Sequence, residues 1–575
     1  MALEKIADKV VETDVLIVGG GIAGCCAAGE AKITDPSLNV TLLEKGNTQR
    51  SGSTAQGIDH YGGFCREGLT PLDWVKSTDE AESSRNGEGK WADPNIVYKW
   101  HDSMFWVLEE LEKLGVTAKW DDGEYRWSYR GGPGLVETGR IPRVGLRVHW
   151  RNIKPNLSAA MKKLGVNIIE RTMLVDLLTN NGTVVGATAL NTRTGEFVVI
   201  KTKTIVLATG WFTREYEPEI PQPWKYKMLY HWCPASASGD GYAVAYRAGA
   251  GLYCMDVHGW YFRIRDDVTL SYGNVVTEGV QSKLFDSRGN ELSQRMRNSP
   301  LLYAELERKG LTPWYYSLEN LPEEYHDRLQ VNYTDERMLG LKCAETRGFN
   351  PKTHWYEVMS NKPLQFGMVT GVWVDDDYKA SIKGLCAIGD CASSMEGCPG
   401  ATTSGCLLGA DLPKHASEAG GPAIDEGQVE SQKQVAYAPL SVGTRDGTEP
   451  MELECAVRNV CERYVGQFKS EGKLNEGLRR IGSLKREFLH KLTAQNPHHL
   501  MKCLEVRNII ELAEVHIQAC LERRETRGQF IRVDYPERDP SRDSRLAYQR
   551  LENGKPVYEI IGVPELKPEY AKGVK

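Results

Sequence analysis

Three glycines raise the first chemical question. Gly19, Gly21 and Gly24 follow the apolar run VLIV (15–18) with the spacing G-x-G-x-x-G, and a stretch of small residues follows them. A strand that ends in glycine and turns at once into a helix offers unpaired N–H groups and the positive end of a helix dipole, which suits a diphosphate. The first glycine makes the turn, the second lets the diphosphate approach the backbone, and the third lets helix pack on strand. A second apolar run, VTLL (40–43), ends in Glu44. A carboxylate about 20 residues past the last glycine can accept bonds from the ribose hydroxyls of an adenosine.

The elements beyond this βαβ unit extend the site. The loop KGNTQRSGSTAQG (45–57) is rich in Gly, Ser and Thr. It suits a cofactor lying extended along the backbone, with Lys45, Ser51, Gly52, Ser53, Thr54, Gln56 and Gly57 as candidate contacts. Two further buried strands end in small residues. IVLATG (205–210) contributes Ala208, Thr209 and Gly210; GLCAIGDCA (384–392) contributes Asp390, placed to bond ribityl hydroxyls. Ser404, in MEGCPGATTSGCLLG, is a further candidate contact. These scattered pieces are the parts of an FAD-binding Rossmann domain.

Bulk properties narrow the class. The chain has 575 residues and a net charge of −6, from 71 basic and 77 acidic side chains, so no general affinity for nucleic acid is indicated. No apolar run is long enough to span a membrane, and the charged start of the chain leaves no room for a secretory signal. The 14 cysteines include no C-x-x-C pair. Cys386, Cys391, Cys398 and Cys406 cluster loosely without a ligand spacing, so no metal site is expected, and a cytoplasmic location with reduced thiols is.

The combination VGGGIAG, LLEKG, RSGSTAQG, ATG and GLCAIGDCA resembles the flavoprotein subunits of the fumarate reductase and succinate dehydrogenase superfamily, over most of the chain. SGDGYAVAYRAGA is similar to that superfamily's helix facing the flavin, which implies Asp240 as a cofactor contact, and ERRETRGQFIRVDYPERDP (522–540) is similar to its C-terminal signature. Within the superfamily, ETDVLIVGGG, HWRNIKP (149–155) and YFRIRDD (261–267) most resemble adenylylsulfate reductase alpha subunits. The resemblance implies an α/β fold: an FAD-binding Rossmann-like domain (1–225 and 370–435) with an inserted α+β capping domain (226–369), a C-terminal helical domain (436–530) and a tail (531–575) on the surface. The segment 418–434 reads as a surface connection.

For chemistry, the resemblance implies reduction of a small anionic substrate at the flavin, with electrons from an iron–sulfur beta subunit. Arg263 is the first candidate to hold the anion through two parallel bonds. His258 and His60 are further catalytic candidates. Trp232, Trp260 and Arg151 are candidate substrate contacts; Arg151 stands where the reductase motif has an acid. No histidine precedes the glycine loop at the position that carries covalent flavin in succinate dehydrogenases, so FAD is expected to be noncovalent. Two other functions fit the same scaffold: a reductase or dehydrogenase of a small unsaturated organic acid, and a flavin electron-transfer subunit of a larger redox complex.

Overall fold

The computed structural model describes the chain except residues 1–2, 59, 67, 80–90, 131–142, 217–233, 258, 261–262, 265–282, 293–299, 320–344, 351, 360–362, 365–368, 395–396, 529 and 572–575. Its central sheet has seven strands. Across the sheet run Asn167–Ile169, Val40–Leu43, Lys9–Val18, Phe197–Leu207, Thr183–Asn191 and Thr172–Asn180. The first four are mutually parallel and the last two turn antiparallel. Val15, Leu16 and Ile17 are fully buried, as expected of a parallel strand covered on both faces.

Phe197–Leu207 forks the sheet. Its first half pairs antiparallel with Thr183–Asn191, and its last three residues pair parallel with Leu385–Ala387. The inserted unit leaves the domain after the first of these parallel strands and returns before the second. Its described part is α+β. Arg263–Ile264, Trp355–Met359, Trp314–Ser317, Lys283–Phe285 and Glu291–Leu292 form an antiparallel sheet, accompanied by the helix Pro300–Arg308.

The helix Ile22–Thr34 packs against Gly397–Glu418 through small residues on both sides. A Cβ on Gly405 would lie 2.6 Å from the Ala23 carbonyl oxygen, and one on Gly409 2.7 Å from Glu30 Cβ. That close approach explains the small-residue composition of both segments. The helices Pro450–Tyr464, Glu471–Phe488 and Pro497–Glu522 form the C-terminal bundle, the last two capped by Ser470 and Asn496 side chains.

Two segments differ from the sequence-based expectation. Much of the connection at 418–434 is the start of a helix, Glu426–Ser441, which Asp425 caps by accepting from Gly427 N and which buries Val429 and Ala436. The tail includes a hairpin, Arg545–Glu552 with Lys555–Gly562, whose first strand pairs with Leu252–Tyr253. Leu252–Tyr253 also pairs with Gly371–Val372, so the C-terminal hairpin extends the sheet at the base of the inserted unit. Thr370 Oγ1 donates there to the carbonyls of Cys254 (3.0 Å) and Val257 (3.2 Å).

One buried carboxyl gives this core a pH dependence. Glu30 lies in the packed helix Ile22–Thr34 and meets Glu110 of the helix Pro94–Lys113, both nearly inaccessible. Burial, then repulsion from Glu110, pushes the Glu30 carboxyl up to about 7. The folded state therefore binds more protons than the unfolded state between pH ~4.5 and ~7, so stability falls as pH rises through that window. Glu30→Gln is expected to flatten this slope and to gain on the order of 2 kcal/mol at pH 8. Urea midpoints at pH 5.5 and 8 measure it; equal slopes for both proteins would refute the assignment.

Candidate functional site

The C-terminal ends of the parallel strands converge on one turn. Gly19 leaves Lys9–Val18 with φ +108°, and a Cβ there would sit 2.3 Å from the Ala208 carbonyl oxygen. A Cβ on Gly24 would lie 2.0 Å from the Gly19 carbonyl oxygen. These two positions admit only glycine because backbone fills the space. Gly21 is different. It is the N-cap of Ile22–Thr34, has no side-chain cap, and a Cβ on it would meet nothing within 4 Å. The space beside Gly21, at the positive end of the helix, is open.

Glu44 is buried at the end of Val40–Leu43. Its carboxylate accepts from Gly20 N (2.7 Å) and Gly46 N (2.6 Å). The following loop is held by Glu170, which accepts from Asn47 Nδ2 (2.8 Å), Thr48 N (2.9 Å) and Thr48 Oγ1 (2.5 Å). Thr48 Oγ1 also bonds Ser158 Oγ at 3.0 Å. Gly52, with φ +83°, comes so near Gly21 that a Cβ would be 3.2 Å from the Gly21 Cα. Ser53, Thr54 and Gln56 belong to the short 3₁₀ turn Ser53–Gln56, which ends at Gly57. The buried hydroxyl oxygens of Ser51 and Thr54 have no hydrogen-bond partner among the described residues.

The other strand ends lie close by. Thr209 Oγ1 donates to Cys391 Sγ (3.3 Å), and a Cβ on Gly241 would touch Thr209 Oγ1 at 2.2 Å. Gly210 has φ +73° and open space beside it. Asp390 sits in the turn Gly389–Cys391, where its carboxylate accepts from Gly397 N at 2.8 Å and its carbonyl accepts from Tyr242 Oη at 2.8 Å. Ser404 is fully buried; its hydroxyl accepts from Gly389 N (3.0 Å) and donates to the Gly400 carbonyl (2.8 Å), fastening that turn to the helix Gly397–Glu418.

Lys45 and Asp240 meet each other. Lys45 Nζ pairs with Asp240 (2.7 Å) and with Glu505 (2.8 Å) of the C-terminal helix. Asp240 also accepts from Ser238 Oγ and Asn508 Nδ2, both at 2.9 Å. Arg214 bonds Glu505 and Glu454 on its other side. These two candidate cofactor contacts are thus engaged in a buried ionic junction between the glycine-rich loop and the bundle, because a charge withdrawn from water needs a partner.

Of the candidate substrate contacts, the backbones of Trp260 and Arg263 fall in two separate short strands. Gly259–Trp260 pairs with Pro363–Leu364, and Arg263–Ile264 pairs with Trp355–Met359. His258 and Trp232 lie outside the described residues. His60, in the strand His60–Gly62, pairs in register with Arg147, and a Cβ on Gly145, the partner of Gly62, would come within 2.6 Å of its ring. Arg151 is exposed in the turn before Ile153–Lys163. Among the described residues no group of His, Cys, Asp or Glu is placed to hold a metal ion, and no helix is long and apolar enough to cross a membrane.

Sequence reading passed over Glu170 and gave no role to Lys154 within HWRNIKP. Glu170 had a legible signal: it follows the strand Asn167–Ile169 as Glu44 follows Val40–Leu43, and Leu43 pairs with Ile169. Two acids therefore end adjacent parallel strands.

These features fit FAD. An open helix N-terminus, two buried hydroxyls without partners, and open space beside Gly21 and Gly210 are what a long diphosphate cofactor requires. The family model for the FAD binding domain matches residues 14–402, and that for the fumarate reductase flavoprotein C-terminus matches 455–560. The chain is 23% identical to the fumarate reductase flavoprotein subunit of Haemophilus influenzae, covering 98% of this chain and 96% of that one. It is also 23% identical to the adenylylsulfate reductase subunit alpha of Megalodesulfovibrio gigas, covering 97% of each. In fold it resembles the adenylylsulfate reductase of Archaeoglobus fulgidus, with TM-score 0.81 and 24% identity over 97% of this chain and 96% of the other. The protein is therefore an FAD-dependent oxidoreductase, and its chain belongs to the fumarate reductase and succinate dehydrogenase flavoprotein family.

Proposed function

We propose that this oxidoreductase acts as an adenylylsulfate reductase-like alpha subunit, reducing a small anionic substrate with electrons from an iron–sulfur partner subunit. The observation that carries the reading is the segment YFRIRDD, which resembles the corresponding segment of those alpha subunits. The backbone of Arg263 in this segment lies in the sheet of the inserted unit. The match to an adenylylsulfate reductase alpha subunit along nearly the whole of both chains supports it.

The residues divide the work. The N–H groups at the start of Ile22–Thr34 receive the diphosphate. Glu44 holds the ribose, since a carboxylate accepting two N–H bonds retains acceptor sites. The hydroxyls of Ser51 and Thr54 and the Asp390 carboxylate orient the rest of a noncovalent FAD. Arg263 holds the anionic substrate by paired hydrogen bonds, with Trp260 beside it in sequence and the inserted unit keeping water from the site. Bound FAD supplies the electron and hydride chemistry.

A fumarate-reductase-like activity on a small unsaturated acid is the second reading, favoured by the equally long match to the Haemophilus protein. Anaerobic titration of the FAD-loaded protein with sulfite, with and without AMP, separates the two. Loss of the visible flavin band, strengthened by AMP, is the expected result. A band that stays unchanged at full FAD occupancy overturns the sulfur reading, and reoxidation of the reduced protein by fumarate would then establish the second.

A further inference from the structure

The peptide between Gly20 and Gly21 is held from behind by a buried cation. Lys154 is 1% exposed, and its ammonium donates to the Gly20 carbonyl and to Cys25 Sγ (3.6 Å). Cys25 Sγ donates to the same carbonyl at 3.5 Å. On the preceding peptide, Gly20 N donates to Glu44. In a trans peptide the C=O and N–H point in opposite directions. With the Gly20 carbonyl turned onto Lys154, the Gly21 N–H points away from it. That N–H makes no hydrogen bond among the described residues, and the space beside Gly21 is open.

Lys154 forms no ion pair among the described residues. A buried ammonium favours anions close by; the Glu44 carboxylate on the Gly20 N–H is one, and a diphosphate at the turn would be another. The helix N-terminus begins one peptide away, at Gly21, and a hydrogen bond to a carbonyl polarises the N–H of the same peptide group.

We propose that Lys154 is a positioning residue for FAD: acting through one peptide, it aims the Gly21 N–H at the diphosphate and places a buried positive charge behind it.

The test compares wild type with Lys154→Met, which removes charge and donor, and Lys154→Gln, which keeps a donor without charge. Each is stripped of FAD and titrated with FAD, ADP and adenosine, and the thermal midpoint of each FAD-free protein is recorded. Lys154→Met is expected to bind FAD and ADP roughly ten- to a hundredfold more weakly, the size expected of one charge acting across a peptide. Adenosine binding should be unchanged, and the FAD-free midpoint equal to wild type or higher. Lys154→Gln should fall between Lys154→Met and wild type in FAD affinity. Wild-type FAD affinity in Lys154→Met overturns the proposal. So does an equal loss for ADP and adenosine with a lowered midpoint, which is the signature of a merely structural lysine.

Discussion

Gly21→Val is expected to give a folded, colourless protein. Gly21 has φ −65° and ψ −172°, an extended conformation open to any residue, and a Cβ there meets no protein atom within 4 Å. The valine would instead occupy the space in front of the helix N-terminus. FAD affinity should fall by about two orders of magnitude or more, since the second glycine of this turn is the one that admits the diphosphate. Gly24→Ala should behave in the opposite manner. Its Cβ would press within 2.0 Å of the Gly19 carbonyl oxygen, so strand and helix must separate. A loss of about 4 kcal/mol or more, seen as poor soluble yield, is expected from such backbone overlap. Far-ultraviolet circular dichroism and bound flavin per chain distinguish the two outcomes. If Gly21→Val retained its flavin, the open space beside Gly21 would not be the diphosphate site.

The ionic junction behind the loop gives the second large effect. Glu505 is buried among three cations: Lys45 at 2.8 Å, Arg214 at 2.5 Å and Lys502 at 2.7 Å. Burial alone would raise its carboxyl, but Lys45, Arg214 and Lys502 together hold it far below the usual carboxylate range. Glu505→Gln leaves Lys45 and Arg214 with less compensating charge in a dry interior. Breaking such a buried pair costs about 3–5 kcal/mol, to be read from the denaturant midpoint at pH 7. The pH dependence has a definite sign. A depressed carboxyl stabilises the fold above its unfolded value of ~4.5 and loses that contribution as pH falls below it. Wild type should therefore weaken steeply under acid, and Glu505→Gln should start lower with a shallower acid limb. Matching midpoints at pH 7 would show that the junction adds nothing to stability. Because Lys45 adjoins Glu44, the variant should also release FAD more readily.

What could be read in advance was whatever lies close together along the chain. The glycine turn, its strand and helix, and Glu44 occupy a single βαβ unit, so spacing alone specified them. The ends of Phe197–Leu207 and Leu385–Ala387 were visible as apolar runs ending in small residues, though not the fork that joins them. The junction was invisible because its members are far apart: Lys45 meets Asp240 and Glu505, of which the first two read as separate cofactor contacts and the third as an ordinary charged residue. The C-terminal hairpin did carry a signal. Asn553 and Gly554, with φ +52° and +73°, form the Asn-Gly turn between Arg545–Glu552 and Lys555–Gly562, and flanking charges disguised the strands as a surface tail. Arg263 was singled out by type and resemblance; that its strand and that of Trp260 belong to different sheets depends on partners about a hundred residues later, beyond any local pattern.

The same hairpin bears on how the protein is made. Leu252 and Tyr253 find their partners in Gln549 and Tyr548, about 300 residues further along, so this is among the slowest kinds of contact to close. During synthesis the flavin-binding sheet can assemble once Leu385–Ala387 has emerged, while the root of the inserted unit waits for nearly the whole chain. Until then Tyr253, buried in the finished protein, has no strand on one side. Such a half-built sheet edge is the place where a nascent chain is most exposed to mispairing and to capture by chaperones.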